Sequence, residues 1–163
     1  MPIRRLNHAV LFVRDAARSA RFYADVLGFR EVFSMSGAIF LQAPGSVNDH
    51  DLGLFTVGPG ASPSPAGRGS VGLYHLAWEV GTLRDLREIR ERLQQADALV
   101  GQSDHGTTKS LYARDQDGLE FEVAWIVPGA MLTDTDRAAR KRISALDLDA
   151  EITRYGAETV GGP

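Results

Sequence analysis

Two kinds of apolar spacing divide this chain. Short alternating or continuous apolar runs read as strands, and apolar residues three and four apart read as helices. Residues 6–13, LNHAVLFV, have a strand pattern. Asp15 then stands as an N-cap before AARSARFYADVL, whose Phe22, Val26 and Leu27 fall on one helical face, and Gly28 follows where that helix should stop. FREVFSM, AIFLQA and DLGLFTV are further strand candidates, separated by Gly, Pro, Ser and Asn. The first third therefore predicts the order β-α-β-β-β.

Residues 58–70, GPGASPSPAGRGS, hold four glycines and three prolines and are expected to form a linker, since neither helix nor central strand tolerates them. The pattern then restarts. GLYHLAWEV reads as a strand. Thr82 with Asp85 resembles a capping box, ahead of a helix striped by Leu83, Leu86, Ile89 or the stem of Arg90, Leu93 and Ala96. ALVGQSD, KSLYARD and LEFEVAWIV complete a second β-α-β-β-β module. An internal repeat outranks any single-element reading. It predicts an α+β fold: module one over 3–57, the linker 58–70 and module two over 71–127, together one domain over 1–127. Residues 128–163 form a C-terminal helical tail. In it Thr133 or Asp134 caps a helix through about Leu146, packed across the modules or on a second subunit, and GAETVGGP is expected to be loose.

The repeat also aligns chemistry. His8 and His75 hold the same position in the first strand of each module, as Leu6-Asn7-His8 and Leu73-Tyr74-His75. In module two, Leu73, His75, Ala77 and Glu79 share one face and Tyr74, Leu76, Trp78 and Val80 the other. The bulkier face should meet the helix, leaving the histidine on the open face. The last strand offers a carboxylate, Glu120 or Glu122, on one face that parity cannot divide. Two imidazoles and a carboxylate on rigid strands make a facial triad, which suits non-haem Fe(II) and leaves coordination positions open.

Composition narrows the alternatives. The chain has 163 residues, enough for a substantial core. The net charge of −3 gives no basic footprint, so no nucleic-acid partner is expected. With no cysteine there is no disulfide framework, thiolate nucleophile or thiolate metal site. No run approaches membrane-spanning length and the N-terminus lacks a long apolar core, so no membrane partner and a cytoplasmic location are expected.

Paired β-α-β-β-β modules with candidate ligands on first and last strands resemble the vicinal oxygen chelate superfamily, the group of glyoxalase I, bleomycin and fosfomycin resistance proteins and type I extradiol dioxygenases. The resemblance covers about residues 3–127 and implies paired curved mixed sheets around a metal cleft. The string Asp115-Gln116-Asp117-Gly118-Leu119-Glu120-Phe121-Glu122 resembles the family's terminal turn and ligand motif, and counting along it selects Glu122. The implied metal ligands are His8, His75 and Glu122. Glyoxalases and epimerases of the family add a fourth ligand from the last strand of module one, where this chain has Gly53 or Leu54.

Asp104-His105-Gly106-Thr107-Thr108-Lys109-Ser110-Leu111-Tyr112, with Glu122 ten residues after Tyr112, resembles the extradiol order of His, Tyr and ligand Glu. The resemblance gives Tyr112 a hydrogen bond to bound substrate and places His105 near the substrate entrance or oxygen. His50, in DHDLGLF, resembles the family's acid–base histidine. The reading is an extradiol, catechol 2,3-type dioxygenase of aromatic catabolism. It would use Fe(II), or Mn(II) as in some relatives, with a small catechol-like aromatic substrate and O2, and act as a homo-oligomer. The alternatives are a glyoxalase-type metal-dependent isomerase or lyase, and a non-catalytic drug-binding resistance protein.

Overall fold

The computed structural model describes residues 2–67 and 69–162, which divide into two compact units, Met1–Ser64 and Pro65–Pro163. Together they give four- and five-stranded mixed sheets with four α-helices, the α+β fold expected from the repeat.

In the first unit, β1 (Ala9–Val13) leads to α1 (Ala16–Leu27), then β2 (Arg30–Met35), β3 (Ala38–Gln42) and β4 (Leu52–Thr56). The sheet order is β1-β4-β3-β2, with β1 parallel to β4 and the other neighbours antiparallel. Asp15 starts α1 by accepting the Arg18 amide, and Gly28 ends it in the left-handed region at φ 77°, which costs glycine little. Leu41, Leu52 and Leu54 lie at 0–1% exposure on one face of the sheet. Each such leucine contributes about 1.5–3 kcal/mol of burial. Alternation sends Val10, Phe12, Gly53, Phe55, Phe40 and Phe33 to the other face.

The second unit repeats the plan with β5 (Leu76–Glu79), α2 (Leu83–Gln95), β6 (Leu99–Asp104), β7 (Thr108–Arg114) and β8 (Glu120–Ile126). Thr82 and Asp85 form the expected capping box. The sheet order is β5-β8-β7-β6, extended beyond β6 by the short strand β9 (Ser144–Ala145), with β5 parallel to β8. Leu111, Val123 and Trp125 are fully buried and, with Leu86 and Leu93 of α2, form the core of this unit.

The tail differs from expectation. Thr133 does cap α3 with a capping box to Asp136, but α3 ends at Ala139 rather than near Leu146. Residues 144–145 form β9 instead, pairing Ser144 with Asp104 and Ala145 with Ser103. The unfilled edge of β6 accepts two residues whose preceding Ile143 is β-branched and favours extended backbone. A further helix, α4 (Leu148–Tyr155), is capped by Asp147 and packs on α2. Residues 159–162 are held rather than loose, and Pro163 lies outside the described residues. The Gly161 amide donates to the Gly81 carbonyl, the Gly162 amide to the Ile126 carbonyl, and Trp125 Nε1 to the Thr159 carbonyl at 3.2 Å. Among the described residues no helix is long and apolar enough to cross a membrane.

Candidate active site

The last strand of the second unit carries the site's central carboxylate. Parallel pairing sets Ala77 beside Glu122, and antiparallel pairing sets Tyr112 on its other side. His75 lies just before β5 rather than inside it, one residue ahead of Leu76. From there its Nε2 stands 3.1 Å from Glu122 Oε2, with both side chains mostly buried. This is a hydrogen-bonding distance, and two ligands held about 2.0–2.2 Å from a common ion also stand roughly 3 Å apart. The imidazole Nδ1 is buried without a hydrogen-bond partner. A neutral imidazole and a carboxylate are donors that suit Fe(II) or Mn(II).

Glu120, two residues earlier, is engaged differently. Arg114 donates to it through Nε at 3.0 Å and Nη2 at 2.5 Å, and this contact holds the carboxyl below its ordinary range. The arginine occupies one carboxylate of the pair that parity left undivided, and the other faces His75.

Tyr112 extends the cluster. Its ring lies edge-on to His75, with centroids 5.9 Å apart, and its hydroxyl shares a 2.8 Å hydrogen bond with His105 Nε2. Burial, then the negative charge of Glu122, raises the phenol above its ordinary range. A phenol so held stays protonated near neutral pH and keeps its hydroxyl as a donor. His75, Glu122, Tyr112 and His105 are thus brought together within one unit.

His8 and His50 meet in the first unit. His8 precedes β1 as His75 precedes β5, and its ring centroid lies 4.5 Å from that of His50. Asn7 Oδ1 is 2.8 Å from His8 Nδ1, and Asp49 Oδ2 is 2.9 Å from His50 Nδ1. Both imidazoles therefore have Nδ1 engaged. His50 also stands edge-on to Phe40 at 5.1 Å, and Phe40 stacks on Phe33 at 4.1 Å. The pairing of β2 with β3 puts Phe33 directly opposite Phe40. Among the described residues of either unit, no three His, Asp or Glu side chains form a group that could hold a metal ion.

The register also identifies the counterpart of Glu122 in the first module. Val10 pairs with Gly53 as Ala77 pairs with Glu122, and Val10 and Ala77 are both two residues after the respective histidine. Gly53 therefore holds the position, not Leu54. A Cβ there would come within 3.3 Å of the Phe40 ring, so the glycine is packed against an aromatic side chain.

The family model for the Glyoxalase/Bleomycin resistance protein/Dioxygenase superfamily matches residues 5–123. The chain belongs to that superfamily. Among curated relatives it is 36% identical to a biphenyl-2,3-diol 1,2-dioxygenase 3 of Rhodococcus globerulus, over 73% of this chain and 62% of the relative. It is 30% identical to a catechol-2,3-dioxygenase of Bacillus subtilis (strain 168), over 72% of this chain and 40% of the relative. A manganese-dependent 2,3-dihydroxybiphenyl 1,2-dioxygenase of Geobacillus genomosp. 3 is 26% identical, over 77% of this chain and 38% of the relative. The chain thus spans between two fifths and three fifths, roughly, of these relatives' lengths. A glyoxylase/bleomycin resistance protein/dioxygenase domain from Frankia sp. EAN1pec shares the fold, with a TM-score of 0.66 at 24% identity, covering 78% of this chain and 96% of that domain. The superfamily member's tail beyond residue 123 lies outside the matched region.

Proposed function

We propose that this protein is a metal-dependent extradiol-type dioxygenase that cleaves a catechol-like aromatic ring with O2. The observation that carries the reading is the connected set His75–Glu122–Tyr112–His105, in which a ligand-type pair adjoins a half-buried phenol and a second imidazole. The relatives named as catechol-type dioxygenases, one of them manganese-dependent, support the same class. His8, His75 and Glu122 are the proposed protein ligands, and Fe(II) or Mn(II) the proposed metal. The absence of a carboxylate or amide at Gly53 favours this reading over a four-ligand glyoxalase-type isomerase.

The metal, when bound, supplies Lewis acidity and a path for electrons between the substrate and dioxygen. The chain's own residues do the rest. Tyr112, kept protonated by burial and by Glu122, donates its hydroxyl hydrogen to a substrate oxygen, and His105 orients that hydroxyl. Asp49 favours the Nδ1–H tautomer of His50, which leaves Nε2 to accept a proton from a catechol hydroxyl. Phe33 and Phe40 beside His50 give an aromatic substrate a ring face to stack against.

The test is anaerobic loading with Fe(II) or Mn(II), then addition of catechol or 2,3-dihydroxybiphenyl and admission of oxygen. The expected result is a yellow ring-fission product that disappears in His75→Ala. Equal turnover by metal-free protein, or no ring cleavage by metal-loaded protein, would overturn the reading.

A further inference from the structure

Lys109 is the most unusual charged residue in the second unit. It sits on β7 between Thr108 and Ser110 and is fully buried. Alternation turns it to the helix-covered face of the sheet, opposite Trp125, while Ser110 and Tyr112 take the other face. A buried ammonium persists only when paired. One partner is Asp104 at the end of β6, whose Oδ1 accepts from Nζ at 2.6 Å and also from the Gly106 amide at 2.7 Å. The other is Glu151 of α4, whose Oε2 lies 3.0 Å from Nζ as a charge contact. Lys109 therefore ties the tail to the turn that holds His105.

Three further contacts converge on that turn. β9 pairs Ser144 with Asp104. Gly106 has φ +77°, and a Cβ there would lie 2.3 Å from the Asp136 carbonyl oxygen and 2.8 Å from Ala139 Cβ, so α3 presses directly on it. Arg140 Nε donates to Thr107 Oγ1 at 3.3 Å. Residues 104, 106, 107 and 109, on both sides of His105, are each held by the tail. The tail lies beyond the residues matched by the family model, whereas Lys109 and the turn lie within them.

We propose that the C-terminal segment from Thr133 to Tyr155 clamps the turn between β6 and β7, and that Lys109, gripped by Asp104 and Glu151, is the positioning residue that sets the His105–Tyr112 pair. The clamp rests on the proposed function only in giving Tyr112 a substrate to touch. Its own content is that contacts on the helix-covered face fix an imidazole serving the opposite face.

The experiment uses the full chain, 15N-labelled and metal-free, with long-range proton–nitrogen correlation of the four imidazoles. His105→Gln identifies the His105 signals, and Tyr112→Phe gives their position when the hydrogen bond is lost. In Glu151→Gln and in Arg140→Ala, the His105 Nε2 signal is expected to move toward its position in Tyr112→Phe, while those of His8 and His50 stay. A tail that only adds stability would lower the melting temperature and leave the His105 signals in place. Arg140 is exposed, so Arg140→Ala keeps the test open if Glu151→Gln fails to fold. Unmoved His105 signals in the folded variants would overturn the proposal, as would a Tyr112→Phe that leaves them unchanged. Because neither metal nor substrate is present, this outcome is separate from success or failure of ring cleavage.

Discussion

Replacing Lys109 by methionine keeps most of the side chain's volume and removes its charge. Two carboxylates then lose their shared cation: Asp104, at 26% side-chain exposure, and Glu151, at 14%. Removing one partner of a buried ion pair costs about 3–5 kcal/mol, because a charge is left uncompensated. Both carboxylates keep some solvent, and Asp104 keeps its bond from the Gly106 amide, so the low end, about 3 kcal/mol, applies here. For a domain of this size each kcal/mol shifts the melting temperature by roughly 2–4 °C, so Lys109→Met should melt about 6–12 °C lower. Both tryptophans, Trp78 and Trp125, belong to the second unit, so tryptophan fluorescence reads the unit in which the lysine sits. Adding Asp104→Asn and Glu151→Gln to Lys109→Met removes the stranded charges and should recover a large part of the loss. A shift under about 2 °C in Lys109→Met would show that the two carboxylates do not depend on the lysine's charge. So would a triple variant less stable than the single one.

Other expectations follow from the same geometry. Glu122→Gln should weaken Fe(II) or Mn(II) binding by at least about tenfold, whereas Glu120→Gln, whose carboxylate is taken by Arg114, should leave it within about twofold; equilibrium dialysis under argon separates the two. Tyr112→Phe should lower kcat for catechol cleavage by about 10–100-fold, less than the roughly 100–1000-fold for a fully enclosed donor because Tyr112 is half-buried, and an unchanged kcat would remove Tyr112 from the chemistry. Burial works to raise the Asp136 carboxyl, but the hydrogen bonds from Arg154 and Thr133 outweigh it and bring the group down to about 2. Its stabilising contribution is therefore fully present above the ordinary aspartate value and is lost as pH falls toward 2. The stability gap between the native protein and Asp136→Asn should be constant above about pH 5 and narrow steadily below pH 4. A gap that widens on acidification would contradict that sign.

Much of the architecture was legible because local signals and global pattern agree. Asp15 and Gly28 bracket α1, and the Thr82–Asp85 box opens α2, at the positions their chemistry demands. The repeat placed His8 and His75 in matching positions, though both lie one residue before their strands rather than within them. Period-two alternation continues through such a residue, so it cannot mark where hydrogen bonding begins. Alternation also left Glu120 and Glu122 undivided; Arg114, directly opposite Glu120 across β7 and β8, separates them in space. The tail was the least legible. Its polar and basic residues suggested a longer helix, but the open edge of β6 and the charge of Lys109 decide its course. Both are long-range partners that no local window contains. Nothing in the sequence around Lys109 points to its α4 partner, because Glu151 lies 42 residues later, from 109 to 151.

His8, His75 and Glu122 are the proposed ligands of one divalent metal. Anaerobic titration of the full chain with Fe(II), followed by metal analysis after desalting, tests this assignment most directly. The expected result is one tightly held ion per chain, lost in each of His8→Ala, His75→Ala and Glu122→Ala while His105→Gln keeps it. Retention of the ion in all three ligand variants, or none bound by the native protein, would contradict it.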